Sequence, residues 1–188
     1  MSAPLQFSGL DRTELPARPL HLAIGMFDGV HLGHQSVIES AIHSARRSGG
    51  LAGVLTFWPH PSVLFRPEQP TPQIMPPEMK RRVLGRLGID FLIEQEFTRE
   101  FAAIAAADFV PGLRRRLPQL AAVYVGDNWR FGRGRSGDVN FLIASAQPAG
   151  LAVFSVPRLS HNGAPISSSR IREMLASGAM AEANALLG

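Results

Sequence analysis

Two histidines, His31 and His34, are three residues apart, with Gly33 between them. At the beginning of a helix this spacing places both imidazoles on roughly the same side. They could bind a metal ion, contact a phosphate group or pack in the protein core. A zinc site needs a third ligand, but the segment has only the carboxylate of Asp28 and lacks the glutamate of the His-Glu-x-x-His motif. Metal binding is therefore the weakest of the three interpretations.

Glycines around the two histidines favour a phosphate site. Gly25 and Gly29 permit a tight turn between a strand and a helix, and Gly33 permits a ligand to approach the backbone. The first turn of a helix also offers free N–H groups and the positive end of the helix dipole. Imidazole donors at this place can stabilise charge that shifts on a phosphoryl group. The segment 24–35 contains no serine or cysteine that could act as a covalent nucleophile.

A run of hydroxyl side chains occurs late in the chain. Ser167, Ser168 and Ser169 suit the N-cap of a helix, and Arg172 follows one turn later. Hydroxyl and backbone N–H groups at such a helix start can contact phosphate oxygens, while the arginine adds positive charge. The alternative is a plain serine-capped helix that leads into apolar residues.

Aromatic side chains accompany a proline-rich segment, residues 59–77, which is predicted to be an extended surface loop. Phe57, His60 and Phe65 offer flat faces, and the prolines stiffen the backbone, so the segment could form a slot for a planar ring. A core position is the alternative for Phe57, as it is for Phe131.

These segments share one position in the predicted architecture, because each comes after an apolar run of strand length. The predicted strands are residues 20–25, 51–57, 90–95, 121–126 and 151–156. Helical spacing separates them, which predicts an α/β fold, a doubly wound parallel sheet with helices on both faces. Ligands of such sheets bind at the carboxyl ends of the strands. The segments should therefore meet at one edge of the sheet.

Helix boundaries follow from caps and apolar stripes. Apolar positions from Val37 to Ala45 predict a helix after Gly33. Pro76 and Pro77 predict the start of another helix. This helix carries the apolar stripe Met79, Val83, Leu84 and Leu87, and Gly88 ends it. Further N-caps are predicted at Thr98, Asp108 and Asp138.

The 188 residues are enough for one α/β domain, with a core from about residue 20 and an N-terminal extension over residues 1–19. The chain has no cysteine, which excludes disulfides and thiolate metal sites and is typical of a reducing compartment. No apolar run reaches the ~20 residues that span a bilayer, so we expect a cytoplasmic protein without membrane contact.

The charge pattern gives little support to a nucleic-acid partner. The formal net charge is only +4. Arginine clusters at 81–82 and 114–116 lie on predicted helices next to acidic or apolar residues, which favours solvated helix faces. We therefore expect small-molecule substrates and no nucleic-acid partner; the oligomeric state is not predicted.

Four segments together resemble the adenylyltransferase module of prokaryotic FAD synthetases, within the His-x-Gly-His nucleotidylyltransferase superfamily. They are Gly-Met-Phe-Asp-Gly-Val-His-Leu-Gly-His-Gln at 25–35, Thr-Phe-Trp-Pro-His-Pro at 56–61, Val-Gly-Asp-Asn-Trp-Arg-Phe-Gly at 125–132 and Ile-Ser-Ser-Ser-Arg-Ile-Arg at 166–172. They occur in the order of the family, and the resemblance covers the chain from about residue 20 to residue 188.

The resemblance implies a Rossmann-like fold of the nucleotidylyltransferase type. It also implies transfer of AMP from ATP to the 5′-phosphate of FMN, with Mg²⁺, to give FAD and pyrophosphate. The implied catalytic residues are His31, His34, Ser168 and Arg172. The implied ATP contacts are Gly25, Phe27, Asp28, Gly33, Ser167 and Ser169. The implied FMN contacts are Phe57, Pro59, His60, Pro61, Phe65, Asn128 and Phe131. No protein ligand of the metal is assigned, and Asp28 could orient the turn, contact the ribose or help to hold magnesium.

The chain departs from the family pattern in three places. It stops at Gly188, where many relatives continue into a riboflavin kinase module, so riboflavin kinase activity is not expected. Ser169 replaces a common threonine and keeps the hydroxyl, whereas Trp129 replaces a common phenylalanine and leaves flavin selectivity open. Two other functions stay open: a nucleotidylyltransferase with a different phosphorylated acceptor, and a non-catalytic flavin- or nucleotide-binding protein.

Overall fold

A six-stranded parallel sheet forms the centre of the computed structural model, which describes residues 3–188. The strands of this sheet are β1 (Leu5–Phe7), β2 (Leu20–Ile24), β3 (Leu51–Trp58), β4 (Phe91–Glu96), β5 (Leu120–Gly126) and β6 (Ala152–Val156). Their spatial order is β1-β4-β3-β2-β5-β6, and every neighbouring pair is parallel. A short antiparallel hairpin follows, made of β7 (Ser160–His161) and β8 (Ala164–Pro165). All five predicted strands are confirmed.

Helices cover both faces of the sheet. They are α1 (Leu32–Ser48), α2 (Pro61–Phe65), α3 (Pro77–Arg86), α4 (Arg99–Ala102), α5 (Ala106–Arg116), α6 (Val139–Ala146), α7 (Ser168–Ala176) and α8 (Met180–Leu187). Within residues 3–188, no helix is both long enough and apolar enough to cross a membrane.

The core has a layer on each side of the sheet, because side chains of a strand alternate between its two faces. In β2, Leu22 and Ile24 join the layer that contains Phe109 and Leu113 of α5. Ala23 joins the opposite layer, with α1 and α3. Strands buried on both faces explain the continuous apolar runs of the sequence. The two C-terminal helices, α7 and α8, form a separate small cluster around Ile171 and Leu186.

The order of the strands reverses at β2, which lies between β3 and β5. The chain builds one half of the sheet through β3 and β4, and then returns to the other side of β2 through β5 and β6. A crevice opens at the carboxyl ends of the strands at such a switch point. The segments after β2 and β5 therefore meet where the sequence predicts a ligand.

Three expected features differ in the structure. Leu5–Phe7 pairs with Phe91–Ile93 as an edge strand, so part of the expected N-terminal extension belongs to the sheet. The expected loop 59–77 contains the short helix α2. Asp108 is not an N-cap, because α5 already begins at Ala106; the buried positions Ala106, Phe109, Val110 and Leu113 form one stripe, which requires the helix from its first residue. Thr98 and Asp138 are N-caps, as predicted.

Candidate active site

The turn after β2 has an unusual backbone. Phe27, Gly29 and Val30 have φ angles of 49°, 86° and 40°. For residues other than glycine this left-handed region is strained, and such strain is found at functional sites held by well-packed surroundings. The packing here comes from the side chains of Phe27 and Val30, which are 2% and 1% exposed and belong to the core layer of α1. A Cβ atom on Gly25 would lie 3.0 Å from the ring of Phe27, closer than side chains ordinarily pack, so this position favours glycine.

His31 and His34 form a stacked pair at the end of this turn. Their ring centroids are 3.6 Å apart and their planes differ by 17°. His31 is the N-cap of α1, and its Nδ1 accepts the backbone N–H of His34 at 3.2 Å. Because Nδ1 is an acceptor, the neutral ring of His31 carries its proton on Nε2. Gly33 leaves room for this arrangement, since a Cβ there would lie 3.3 Å from the ring of His31.

Both imidazoles are neutral at neutral pH. Burial lowers the pKa of His31 to about 4, although the negative charge of Asp28 opposes the shift. Burial also lowers the pKa of His34 well below its ordinary value, and the charges of His31, Lys80 and Arg172 add to the effect. The pair therefore offers neutral N–H donors rather than cations. The buried Nδ1 of His34 has no hydrogen-bond partner in the described part of the chain.

Asp28 connects the turn to two other segments. Its carboxylate accepts hydrogen bonds from Nη2 of Arg172 at 2.6 Å and from the backbone N–H of Ile74 at 3.0 Å. Its backbone carbonyl accepts the hydroxyl of Ser168 at 2.9 Å. Arg172 also donates through Nε to the carbonyl of Pro72 at 2.7 Å. The structure therefore brings Ser168 and Arg172 to the histidine turn, and it engages Asp28 in holding these segments together.

The other implied ATP residues occupy different positions. Ser167 is the N-cap of α7 and accepts the backbone N–H of Arg170 at 3.3 Å. Ser169 is exposed on the first turn of that helix. The side chain of Phe27 is buried and packs edge-on against His34, with centroids 5.3 Å apart. It supports the histidine ring rather than facing the solvent.

A cavity of about 670 Å³ lies next to the turn, and its lining includes several aromatic side chains. The residues with implied FMN contacts that line it are Phe57, His60, Pro61, Phe65, Asn128 and Phe131. Pro59 is not among its lining residues. Met26, the second residue after β2, lines the same cavity. The aromatic cavity and the histidine turn are therefore adjacent.

The cavity also contains aromatic residues that the sequence analysis did not assign. Phe97 and Phe101 come from the segment after β4, Phe109 from α5, and Trp129 from the segment after β5. Trp129 stacks on Phe131, with centroids 4.7 Å apart and planes 15° apart. A signal was present for Phe97 and Phe101, because they directly follow a predicted strand, as the assigned segments do.

Three positively charged side chains contribute to the lining of this cavity. Arg66, Arg130 and Arg135 are among its lining residues. Arg130 contacts Asp138 at 3.5 Å, and the two side chains are 48% and 41% exposed. The cavity thus combines an apolar aromatic interior with guanidinium groups, which suits a planar ligand that carries an anionic group.

Lys80 of α3 is a further residue that the sequence analysis did not assign to the site. It is 6% exposed, whereas Met79, which belongs to the predicted apolar stripe, is 53% exposed. The predicted stripe of α3 was therefore wrong by one position at its start. Lys80, Val83, Leu84 and Leu87 also have helical spacing. The sequence pattern is therefore equally compatible with Lys80 in place of Met79 on the inner face of the helix.

The doubly wound parallel sheet, the glycine-bounded turn and the histidine pair at its carboxyl edge define an α/β protein of the nucleotidylyltransferase type. The chain belongs to the FAD synthetase family, since the model of that family matches residues 14–170. This confirms the resemblance carried by the four motifs.

Similar proteins cover nearly the whole chain. An FAD synthetase of Listeria monocytogenes is 35% identical over 173 residues, which are 92% of this chain and 70% of that protein. A bifunctional riboflavin kinase/FMN adenylyltransferase of Escherichia coli is 32% identical over 94% of this chain and 56% of its own length. This chain therefore spans little more than half of that relative.

A solved structure shares the fold. It is described as a macrolide-efflux protein from Streptococcus pneumoniae, and it matches 100% of this chain and 60% of its own chain with a TM-score of 0.87 and 25% identity. The expected Rossmann-like architecture is confirmed by this match and by the sheet itself.

Proposed function

We propose that this chain is an FMN adenylyltransferase, which transfers AMP from ATP to the 5′-phosphate of FMN. The observation that carries the proposal is the adjacency of the two sites: Met26 lines the aromatic cavity and directly precedes the turn that bears His31 and His34. A nucleotide phosphate at the turn and a flavin ring in the cavity would bring the two reacting phosphates together. The names of the relatives point to the same reaction.

The reaction needs no covalent enzyme intermediate. An oxygen of the FMN phosphate attacks the α-phosphorus of ATP, and the bond from that phosphorus to the bridging oxygen breaks. The electron pair of this bond leaves with pyrophosphate, and the new P–O–P bond completes FAD. Charge builds on the α-phosphate oxygens during this step, so neutral N–H donors from His31 and His34 lower its barrier. A bound phosphate would also place a polar oxygen beside the histidine pair, in which the buried Nδ1 of His34 has no hydrogen-bond partner among residues 3–188.

We assign the start of α7 to binding of the β- and γ-phosphates of ATP. Ser168 and Arg172 lie against the histidine turn, and Ser167 and Ser169 are on the same helix start. In this arrangement hydroxyl groups, backbone N–H groups and a guanidinium contact the β- and γ-phosphates that depart as pyrophosphate. Arg172 keeps one N–H group on Asp28 while other donors remain for a ligand.

Magnesium fits this site as a companion of the nucleotide. No group of three or more histidine or acidic side chains that could hold a metal ion occurs among residues 3–188. The carboxylate of Asp28 is already bound to Arg172 and Ile74. Mg²⁺ keeps several waters and is commonly held by substrate phosphates with few protein ligands. The ion would therefore be held mainly by the phosphates of ATP, and it would supply neutralisation of phosphate charge there.

The size and lining of the cavity support a flavin rather than a smaller acceptor. Its volume of about 670 Å³ lies within the range of sites for drug-sized ligands. Aromatic faces suit an isoalloxazine ring, and Asn128 can both donate and accept hydrogen bonds at its polar edge.

We further assign the site to one structural unit from residue 5 onwards, because β1 belongs to the sheet that carries it.

The test is an assay of FAD and pyrophosphate formation from FMN, ATP and Mg²⁺. Both products should form in equal amounts, and riboflavin in place of FMN should give no FAD because it lacks the attacking phosphate. Phosphopantetheine and nicotinate mononucleotide serve as competing acceptors. Product from either of these but not from FMN would replace the acceptor proposed here, and tight FMN binding without pyrophosphate release would indicate a binding protein.

A further inference from the structure

Lys80 is the only lysine of the chain, and it is buried. Its position on the inner face of α3 is 6% exposed, next to Leu84, which is 0% exposed. Lysine is almost never fully buried without a partner for its charge, because removing an ammonium group from water costs free energy. Methionine or leucine would pack on this face without that cost, so packing alone does not account for lysine here.

The ammonium group is bound to two oxygens at the carboxyl edge of the sheet. Nζ donates to Oγ1 of Thr56 at 3.1 Å and to the carbonyl of Met26 at 3.4 Å. The hydroxyl of Thr56 donates to the same carbonyl at 3.0 Å. The three groups form a closed triangle that links α3, β3 and the segment directly after β2. Met26 is followed by the left-handed residue Phe27, so this triangle fixes the first peptide groups of the histidine turn.

The positive charge of Lys80 has no contacting counter-ion. Within residues 3–188 no carboxylate forms an ion pair with it; Glu94 binds Arg81 at 2.6 Å, and Asp28 binds Arg172 at 2.6 Å. Burial lowers the pKa of Lys80, while the more distant charges of Glu94 and Asp28 oppose this shift. A buried cation that is hydrogen-bonded only to neutral oxygens, beside a candidate phosphate site, can interact favourably with the negative charge of a ligand.

We propose that Lys80 is a positioning residue for adenylyl transfer: through the carbonyl of Met26 it holds the turn that carries His31 and His34, and it places a positive charge beneath that turn. The inference rests on the proposed function and deepens it. It separates two roles that a buried lysine can have. A purely structural lysine would contribute to folding, whereas a positioning lysine contributes to the rate and can be replaced by an apolar residue without loss of stability.

The primary test compares Lys80→Met with Arg82→Met, which removes an exposed charge from the same helix. In Lys80→Met, kcat should fall about 10- to 100-fold, as for other residues that orient catalytic groups. The Kd for FMN should change less than about threefold, because Lys80 does not line the aromatic cavity. The thermal midpoint should not fall, since an apolar residue of similar volume removes a buried charge. Arg82→Met should match the wild type in all three measurements.

A chemical rescue uses the absence of cysteine from the chain. In Lys80→Cys the new thiol is unique, so alkylation with 2-bromoethylamine in denaturant, followed by refolding, rebuilds an ammonium side chain at this position alone. Alkylation with iodoacetamide gives a neutral side chain of comparable length. The aminoethyl protein should regain kcat to within about fivefold of wild type taken through the same cycle, on the ~10–100-fold scale expected for a positioning group, whereas the amide should not.

The pH profile gives a readout that a structural role would not move. The titratable and charged groups that act on His34 are His31 on its own turn, Lys80 on α3 and Arg172 on α7. Removing the positive charge of Lys80 should raise the pKa of His34, so the acid limb of the kcat profile should move to higher pH in Lys80→Met and stay in place in Arg82→Met.

Three outcomes would each overturn the inference. The first is a wild-type kcat in Lys80→Met, and the second is equal rescue by the neutral adduct. The third is a loss of activity that only follows a lowered thermal midpoint. These outcomes differ from a failure of the proposed function, in which the wild-type chain itself forms no FAD.

Discussion

Nη2 of Arg172 donates to the carboxylate of Asp28 at 2.6 Å and ties helix α7 to the turn after β2. The side chains are 20% and 4% exposed, so this ion pair is largely shielded from water. Asp28 also accepts the N–H of Ile74 in the long segment before α3. Three parts of the chain that are distant in sequence therefore meet at one carboxylate, which identifies Asp28 as a structural centre of the site.

Asp28→Asn should lower the free energy of unfolding by about 1–3 kcal/mol, because the amide can still accept from Ile74 but leaves Arg172 without its counter-ion. Urea denaturation measures the change. Arg158→Gln is the matched control, since it breaks the exposed pair with Asp127, and its effect should stay within about 1 kcal/mol. If the free energy of unfolding falls equally in the two variants, the Asp28–Arg172 pair stabilises the protein no more than an exposed ion pair does.

His31→Asn should reduce kcat by about 10²- to 10³-fold, the effect of removing one donor to the transition state. Asparagine is a good N-cap, so the start of α1 is retained while the imidazole is lost. His34→Ala should cause a similar loss. Steady-state assays of FAD formation give kcat, and titration with FMN should show an almost unchanged Kd. Full activity in both variants would contradict a catalytic role for the pair.

Stability should decrease on acidification because of the buried histidines. Burial lowers the pKa of His31 from 6.5 to about 4 in the folded state. Between these values the unfolded chain binds more protons, so stability is complete above pH 6.5 and is lost as the pH falls towards 4. His31→Asn should reduce the loss of unfolding free energy between pH 7 and pH 4.5 by about 1–3 kcal/mol. Urea midpoints at several pH values measure this, and identical profiles for wild type and variant would disprove the assignment.

Trp129 should be the aromatic residue that an isoalloxazine ring contacts. Phe131 is only 6% exposed and Trp129 covers it, whereas Trp129 is partly exposed and lines the cavity. Trp129→Ala should weaken FMN binding about 2- to 10-fold, the range of one aromatic stacking contact. Isothermal titration calorimetry measures the change.

Fluorescence can locate this contact, because the chain has two tryptophans and Trp58 is not among the lining residues of the cavity. In Trp58→Phe, the remaining indole should be strongly quenched by FMN. In Trp129→Phe, the emission of Trp58 should be quenched much less. Equal quenching in the two variants would place the flavin elsewhere.

Some parts of the structure could be predicted because their signals are local. The apolar runs of β2 to β6 and the caps at Thr98 and Asp138 each lie within a few residues. β1 was missed because a three-residue edge strand with two exposed positions has no distinctive pattern. The inner face of α3 was predicted wrongly at its start because Met79 is more apolar than Lys80. In the structure the side chain of Lys80 lies on this face and contacts the oxygens of Met26 and Thr56.

The sequence by itself determined the class of fold and the family to which the four motifs belong, and it predicted a candidate site at the carboxyl edge of the sheet. These follow from periodicity, glycine positions and short motifs, which act over a few residues. Only the tertiary structure decided that Asp28 is bound by Arg172, that Trp129 covers Phe131, and that Lys80 lies beneath the histidine turn. The contacts of Asp28 with Arg172 and of Lys80 with Met26 join residues far apart in the chain, and they depend on how whole elements pack around one another. The stacking of Trp129 on Phe131 is close in sequence, but it depends on the conformation of the segment after β5, which periodicity does not predict.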